Sequence, residues 1–287
     1  MPTKGTTHTD FTKVKLTRQS DIYVMSYTQS CRITDLVVLP GDLLLLVDRR
    51  NQTVKLADPA SGQLLDQLQL PGEPWGLCLL PGDRAAVTIP DKSTIQTISI
   101  ANKKQVLQDV ITIYGKCYGI NYVNDYFVVG FNYPAKVALI QTTGKIYKSI
   151  SKDSQNKALF RNPEYICVTT ENTSNVIYVS DYVTRTITRL SEKLQVLQSF
   201  TDTELSYPRG MASVGGGQLL VVDGGLPSTL SVLDVTTGKF TPLLGWGINL
   251  GWTRCVAVSH TLGTLYVHNW LYGCDIIRQY RFKNHFM

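Results

Sequence analysis

Histidine is scarce here, and long hydrophobic runs are missing. Only four histidines occur in 287 residues: His8, His260, His268 and His285. His8 and His285 lie near the ends and His260 falls in a turn, so a histidine-rich metal or catalytic cluster is excluded. No apolar run approaches the ~18 residues that a membrane-crossing helix needs. The opening MPTKGTTHTD lacks the apolar stretch of a secretory leader. The six cysteines, Cys31, Cys78, Cys117, Cys167, Cys255 and Cys274, include no CxxC pair, and most sit inside apolar runs. They read as reduced and buried in a cytoplasmic chain. No GxSxG, Walker A, HExxH or dinucleotide fingerprint is present. Gly215-Gly216-Gly217 reads as a hairpin turn, since a phosphate cradle would need a following helix. Charge of one sign is also lacking. Lys plus Arg number 28 and Asp plus Glu 22, a net +6. That balance permits an anionic partner without demanding one.

What is present is repetition. The stretch Asn162–Leu190 holds a turn proline, an apolar run, a polar turn, a β-branched run ending in Ser-Asp, a loop and a further β-branched run. The same order recurs six times. Anchors at Ile33, Pro74, Cys117, Pro163, Pro208 and Thr253 are spaced by 41, 43, 46, 45 and 45 residues. Second runs such as LLLLVD, VIYVSD and LLVVDG follow the first, then third runs such as TVKLADP and TITRLSE, then weaker fourth runs. Helical periodicity is absent throughout. Four short strands in a period near 45 residues predict an all-β, six-bladed β-propeller with four antiparallel strands per blade. The expected division is a tail at 1–10, the propeller at 11–282 and a tail at 283–287. The sixth copy lacks a fourth strand, and FTKVKLT (Phe11–Thr17) is a strand-like text with no repeat of its own. The expectation is that this N-terminal strand closes the last blade.

Several of these texts resemble a known family. IYVSDYVTRTITRL, PWGLC and PRGMA resemble the NHL repeat. CRITDL, VKLAD, EPWGL, VTIPDKSTIQTIS, GKCYGINY, PAKVALI and NPEYICVT, in that order, resemble the C-terminal NHL-type propeller of invertebrate tripartite-motif (TRIM) proteins. The likeness runs from about Lys13 to Phe282. The zinc RING, B-boxes and coiled coil of those ligases have no counterpart in this sequence. The resemblance therefore implies the role of the propeller alone, which is recognition of a protein partner or, in some relatives, of RNA.

Antiparallel pairing puts the start of each first strand and the end of each second strand on one rim. The start positions are Thr34, Trp75, Tyr118, Glu164, Arg209 and Arg254, and the loops after the second strands add Arg49, Arg50, Lys92, Tyr133, Lys136, Tyr182, Arg185 and Trp270. Aromatic and basic groups of this kind supply most binding hot spots and also stack on bases. The ligand-binding set read from the sequence is Arg49, Arg50, Trp75, Lys92, Tyr118, Tyr133, Tyr182, Arg185, Arg209, Arg254 and Trp270. The competing reading packs Trp75 and Tyr118 between blades and leaves the arginines solvated. Of the histidines, only His268 lies on this rim. The glycine-rich joint holding Trp246 and Trp252 links the fifth and sixth copies.

A second ring, Asp48, Asp91, Asn132, Asp181, Asp223 and Asn269, closes the second strands. Converging oxygens there would suit calcium, as in lactonase-like hydrolases. Repetition in every copy favours the other reading, in which each side chain holds the backbone N–H groups of its own turn. The function expected is a monomeric, non-catalytic recognition module of a TRIM-type ubiquitin ligase that binds a protein on the rim. It would use no cofactor or metal, and no DNA or membrane. Single-stranded or stem-loop RNA on the same rim is the first alternative, and a calcium-dependent hydrolase the second.

Overall fold

In the computed structural model, the described residues are 9–283, leaving out 27–28, 204, 226, 245–249, 252 and 269–274. They form six antiparallel sheets and one short 3-10 turn, Phe11–Lys13. Blade four shows the plan. Its strands are Pro163–Glu171, Ser174–Asp181, Thr186–Ser191 and Val196–Phe200, hydrogen-bonded in that order from the axis outward. The inner strands of the other blades are Ile33–Val38, Leu77–Leu80, Cys117–Val123, Pro208–Gly215 and Val256–Ser259. Each inner strand touches the next, and that of blade six touches that of blade one, so the ring is closed.

The burial pattern explains why the first three runs are legible and the fourth is weak. The second strand Leu44–Asp48 is buried at every position, because neighbouring blades cover both of its faces. Such strands read as continuous apolar runs. The outer strand Lys104–Thr112 buries only Gln105 and Ile111. Apolar side chains interlock between adjacent blades. Leu45, Val47, Val54 and Leu56 of blade one meet Leu77, Ala85, Val87 and Ile98 of blade two. Val128, Val137 and Leu139 meet Ile166, Ile177 and Val179 one joint further on. Each such side chain contributes roughly 1.5–3 kcal/mol on burial.

The N-terminal segment closes blade six, with its register shifted from expectation. The strand is Lys15–Arg18, paired antiparallel with Ile276–Lys283, Lys15 opposite Lys283 and Arg18 opposite Tyr280. Ile22 and Tyr23 then pair with Ile277 and Ile276 of the same strand. Phe11, read as the start of the strand, instead sits in the 3-10 turn that Asp10 caps. It is fully buried among Leu220, Val222, Leu230, Leu265 and Val267. Its ring meets Phe282 edge-on at 4.9 Å. Burying an aromatic in the joint between blades five and six contributes more than one further ladder pair could. The expected tails, 1–10 and 283–287, fall almost wholly outside the described residues.

The ring axis is filled. From blade four, the Tyr165 hydroxyl crosses to donate to the Thr34 carbonyl of blade one at 3.1 Å. Glycines make room beside it. A Cβ on Gly119 would lie 2.7 Å from the Glu164 carbonyl oxygen, and one on Gly210 2.6 Å from that of Arg254. Blade one carries Asp35 at the equivalent place, where it accepts from the backbone N–H groups of Leu36 (2.9 Å) and Leu77 (3.0 Å). At the far end of blade five's inner hairpin, Gly215, Gly216 and Gly217 all take positive φ (79°, 58° and 70°), as the turn reading requires.

Candidate functional site

Three of the residues that follow an anchor are pinned through their own carbonyls by a hydroxyl of the blade before. Thr34 Oγ1 donates to Trp75 O (2.7 Å), Thr88 Oγ1 to Tyr118 O (2.6 Å) and Ser180 Oγ to Arg209 O (2.7 Å). These short hydroxyl bonds hold the rim positions on rigid strand ends. Between them, at the mouth of the ring over blades one to four, lies a depression of ≈ 690 Å³. Five residues of the sequence-derived set line it: Arg49, Trp75, Tyr118, Tyr133 and Tyr182. Glu164, Asn162, Asn132, Gly115 and Lys116 complete the lining.

Inside, aromatic and charged groups alternate in contact. Trp75, 5% exposed, packs edge-to-face on Tyr118 with centroids 5.1 Å apart. The guanidinium carbons of Arg49 and Arg254 lie 5.2 and 5.6 Å from the Trp75 ring centroid. Arg49 is paired with Glu73, Nε to Oε2 at 2.7 Å. Arg209 pairs with Glu164 at 2.7 Å and stands 4.5 Å over the Tyr182 ring. The Tyr182 hydroxyl accepts from Asn162 Nδ2 at 2.6 Å. The indole Nε1 of Trp75 and Oδ1 of Asn132 are buried in the wall without hydrogen-bond partners among the described residues.

Burial pushes the Glu164 carboxyl up, against the pull of Arg209 and Arg254. Burial also raises the Tyr118 phenol, and Glu164 adds to that. Arg32 is pulled down by burial, then by the like charges of Arg254, Arg49 and Arg50, with Glu73 opposing. The charges of Arg32, Arg49, Arg50 and Arg254 thus act on one another.

The remaining predicted residues lie elsewhere. Arg50 is exposed and donates to Ser30 Oγ at 2.6 Å. Lys92 and Arg185 are exposed and do not line the depression. Arg185 occupies a left-handed turn position, φ 56°, which directs the chain into the third strand. Trp270, Trp246, Trp252 and Asn269 lie outside the described residues. His268 is fully buried at the end of its strand. Trp75 is buried, as the packing reading has it, and its ring also forms part of the wall of the depression.

Sequence reasoning passed over Glu73, Lys116 and Asn162. A signal existed. Each directly precedes an anchor, as do Arg32 and Tyr207, so the position before the anchor forms a second circle around the mouth.

Three members of the ring, Asp48, Asp181 and Asp223, hold turns. The Asp181 carboxylate accepts from the N–H groups of Arg161 (2.6 Å), Asn162 (2.7 Å), Val183 (3.0 Å) and Thr184 (3.1 Å). Asp223 takes those of Ser206, Tyr207 and Gly225. Asp48 accepts from Arg32 N and is paired with the buried Lys55 at 3.2 Å. These carboxylates tie the end of a second strand to the segment entering its own blade. Among the described residues, no group of three or more His, Cys, Asp or Glu side chains is placed to hold a metal.

Fold and mouth together define the class: a six-bladed β-propeller with a lined cavity at one end of its axis. No protein-family model matches the sequence and no curated protein matches it. Solved structures do match in fold. A streptogramin B lyase matches with TM-score 0.67 at 14% identity, over 94% of this chain and 88% of that one. A catalytically inactive histidine-to-alanine variant of virginiamycin B lyase from Staphylococcus aureus, with quinupristin, matches with TM-score 0.63 at 17% identity, over 94% and 89%. A protein of unknown function from Bacteroides thetaiotaomicron matches with TM-score 0.70 at 13% identity, over 92% and 72%. These likenesses show the fold. They also correct the expectation that the chain is not an enzyme. That expectation rested on missing motifs and on a binding-module resemblance, and the same architecture carries lyases. Among the described residues, no helix is long and apolar enough to cross a membrane.

Proposed function

We propose that the depression at the propeller mouth is a recognition site for a segment of another protein, in keeping with the NHL-type resemblance of the sequence. The observation that carries this reading is that Trp75, Tyr118, Tyr182 and Arg49 line one cavity, with Arg209 held over the Tyr182 ring and Arg254 over the Trp75 ring. Preorganised aromatic and arginine anchors are the residue types that dominate protein interfaces. RNA is the weaker ligand here. Base stacking needs open aromatic faces, but Trp75 is buried and Arg209 covers a face of Tyr182. The test is selection of a random 12-residue peptide library displayed on phage against the intact chain. Binders that lose at least tenfold in affinity on Tyr118→Ala or Tyr182→Ala are expected. A selection that returns no rim-dependent binder overturns the reading.

Glu164 favours a second reading, chemistry in the same cavity. It is a buried carboxyl with a raised proton affinity beside arginines, the kind of group that acid–base catalysis employs. The lyase neighbours share the fold. Incubating the chain with quinupristin and following its conversion by liquid chromatography tests this. Conversion that Glu164→Gln abolishes supports catalysis, and unchanged quinupristin removes that substrate.

A further inference from the structure

We infer that the segment recognised at the mouth is acidic, and that its carboxylates are taken by the guanidiniums gathered around Trp75. This inference rests on the protein-recognition reading and adds the chemical class of the partner.

The argument starts from unequal pairing. Arg49 has Glu73 and Arg209 has Glu164. Arg254 has no carboxylate within ion-pair distance among the described residues, and its guanidinium rests near the Trp75 indole instead. Arg32 and Arg50 add positive charge nearby: burial lowers the Arg32 proton affinity most, and the charges of Arg254, Arg49 and Arg50 lower it further. Lys116 extends the positive wall along the opposite lip. Like charges gathered beside a partly desolvated cavity, with Arg49 in its wall, cost free energy in the unbound protein. An incoming carboxylate removes that cost and gains forked N–H donors that match its two oxygens. A neutral segment leaves the cost in place, and a basic one adds to it.

The two carboxylates already present set the geometry of the exchange. Glu164 is 6% exposed and locked to Arg209, so it serves as a fixed wall. The Glu73 side chain is 47% exposed, and a ligand carboxylate can displace it from Arg49. Among the described residues the mouth thus has Arg254 without a carboxylate partner, and Arg49 covered by an exchangeable one. Two acidic side chains on one segment fit that pair. A polyanionic RNA would satisfy the same charges, but it would forgo the stacking that gives single-stranded nucleic acid most of its base contacts.

The experiment uses the rim-dependent binders from the display selection, made as fluorescein-labelled peptides and measured by fluorescence anisotropy with the intact chain. Asp and Glu are expected at least threefold enriched over the input library. Replacing those residues by Asn and Gln is expected to weaken binding at least tenfold. So is Arg254→Ala, while Arg254→Lys, which keeps the charge without the fork, is expected to lose less. Lys239→Ala, an exposed cation on the opposite face, is expected to change nothing. Raising the salt from 50 to 300 mM is expected to weaken the acidic peptides several-fold, because the contacts are partly exposed. Rim-dependent binders that are neutral or basic overturn the acidic assignment and leave the recognition reading standing. Absence of any rim-dependent binder overturns both. Tighter rim-dependent binding of a single-stranded oligouridylate than of the acidic peptides overturns it in favour of RNA.

Discussion

Replacing Asp35 by asparagine is expected to stabilise the propeller at pH 8 and to lose that advantage at pH 4.5. Asp35 faces the ring axis, and its carboxyl is pushed from 3.8 up to about 7 by burial, against the pull of two backbone N–H donors. In the unfolded chain the group ionises near 3.8. Between those two values the folded protein holds the proton that the unfolded chain has released. Stability from this group therefore falls as pH rises through that window, and the penalty is complete above about 7. At about 1.36 kcal/mol for each tenfold change in proton affinity, the full penalty is about 4 kcal/mol. Asp35 is half-buried, which lowers that figure. Asparagine removes the charge but keeps one acceptor for two N–H donors, Leu36 on one oxygen and Leu77 on the other. The orphaned donor costs about 1–3 kcal/mol. The net gain at pH 8 is about 1–3 kcal/mol. Urea unfolding of both proteins at half-unit intervals from pH 4.5 to 8 measures it, with equal slopes confirming the same unfolding transition. A stability difference that is flat across the pH range refutes the assignment of Asp35 as a buried, charge-penalised carboxyl. So does a variant less stable than the parent at pH 8.

Other outcomes follow from the same structure. Asp181→Ala strips four backbone N–H groups of their acceptor in a buried turn and is expected to cost about 3–5 kcal/mol in urea unfolding, against under 1 if the turn holds itself. Phe11→Ala empties the joint between blades five and six and is expected to cost about 3–5 kcal/mol, read as a fall in Tm. Lys55→Met leaves Asp48 buried without its ammonium partner and is expected to cost about 3–5 kcal/mol; a neutral outcome would show that the Arg32 and Asn51 donors suffice. Cys31, Cys78, Cys117, Cys167 and Cys255 are unpaired and buried, and burial raises every one of their thiols. Iodoacetamide at pH 8 is expected to leave these five unmodified in the native chain and to label them all in 6 M guanidinium, as read by mass spectrometry of tryptic peptides.

The sequence made the architecture legible because the physical cause repeats. A second strand such as Ser174–Asp181 is sandwiched between neighbours, so the same apolar text recurs, and the terminal aspartates Asp48, Asp181 and Asp223 recur because their turns use the same acceptor. The ring closure was legible as a surplus strand, although its register was not. Whether Phe11 continues a ladder or drops into a joint depends on a hole formed by Leu220, Leu230 and Leu265, residues distant in the sequence. The rim was legible in outline, since strand polarity dictates which ends meet. Sorting its members was beyond a one-dimensional reading. Arg50 and Arg49 are adjacent, yet one turns to Ser30 and the other to Glu73 and Trp75. Pairing Arg209 with Glu164 links positions 45 residues apart in successive blades, and no local pattern marks it.

The closing ribbon has a mechanical consequence. Lys15 and Lys283 sit side by side at the same end of their ladder. Tension applied between those two points loads the rungs one after another, as in peeling tape, and never all at once, as in dragging it sideways. The seam at blade six is thus the place where a modest pull opens the circle, while the five other wedges, each joined to the next by continuous chain, stay shut.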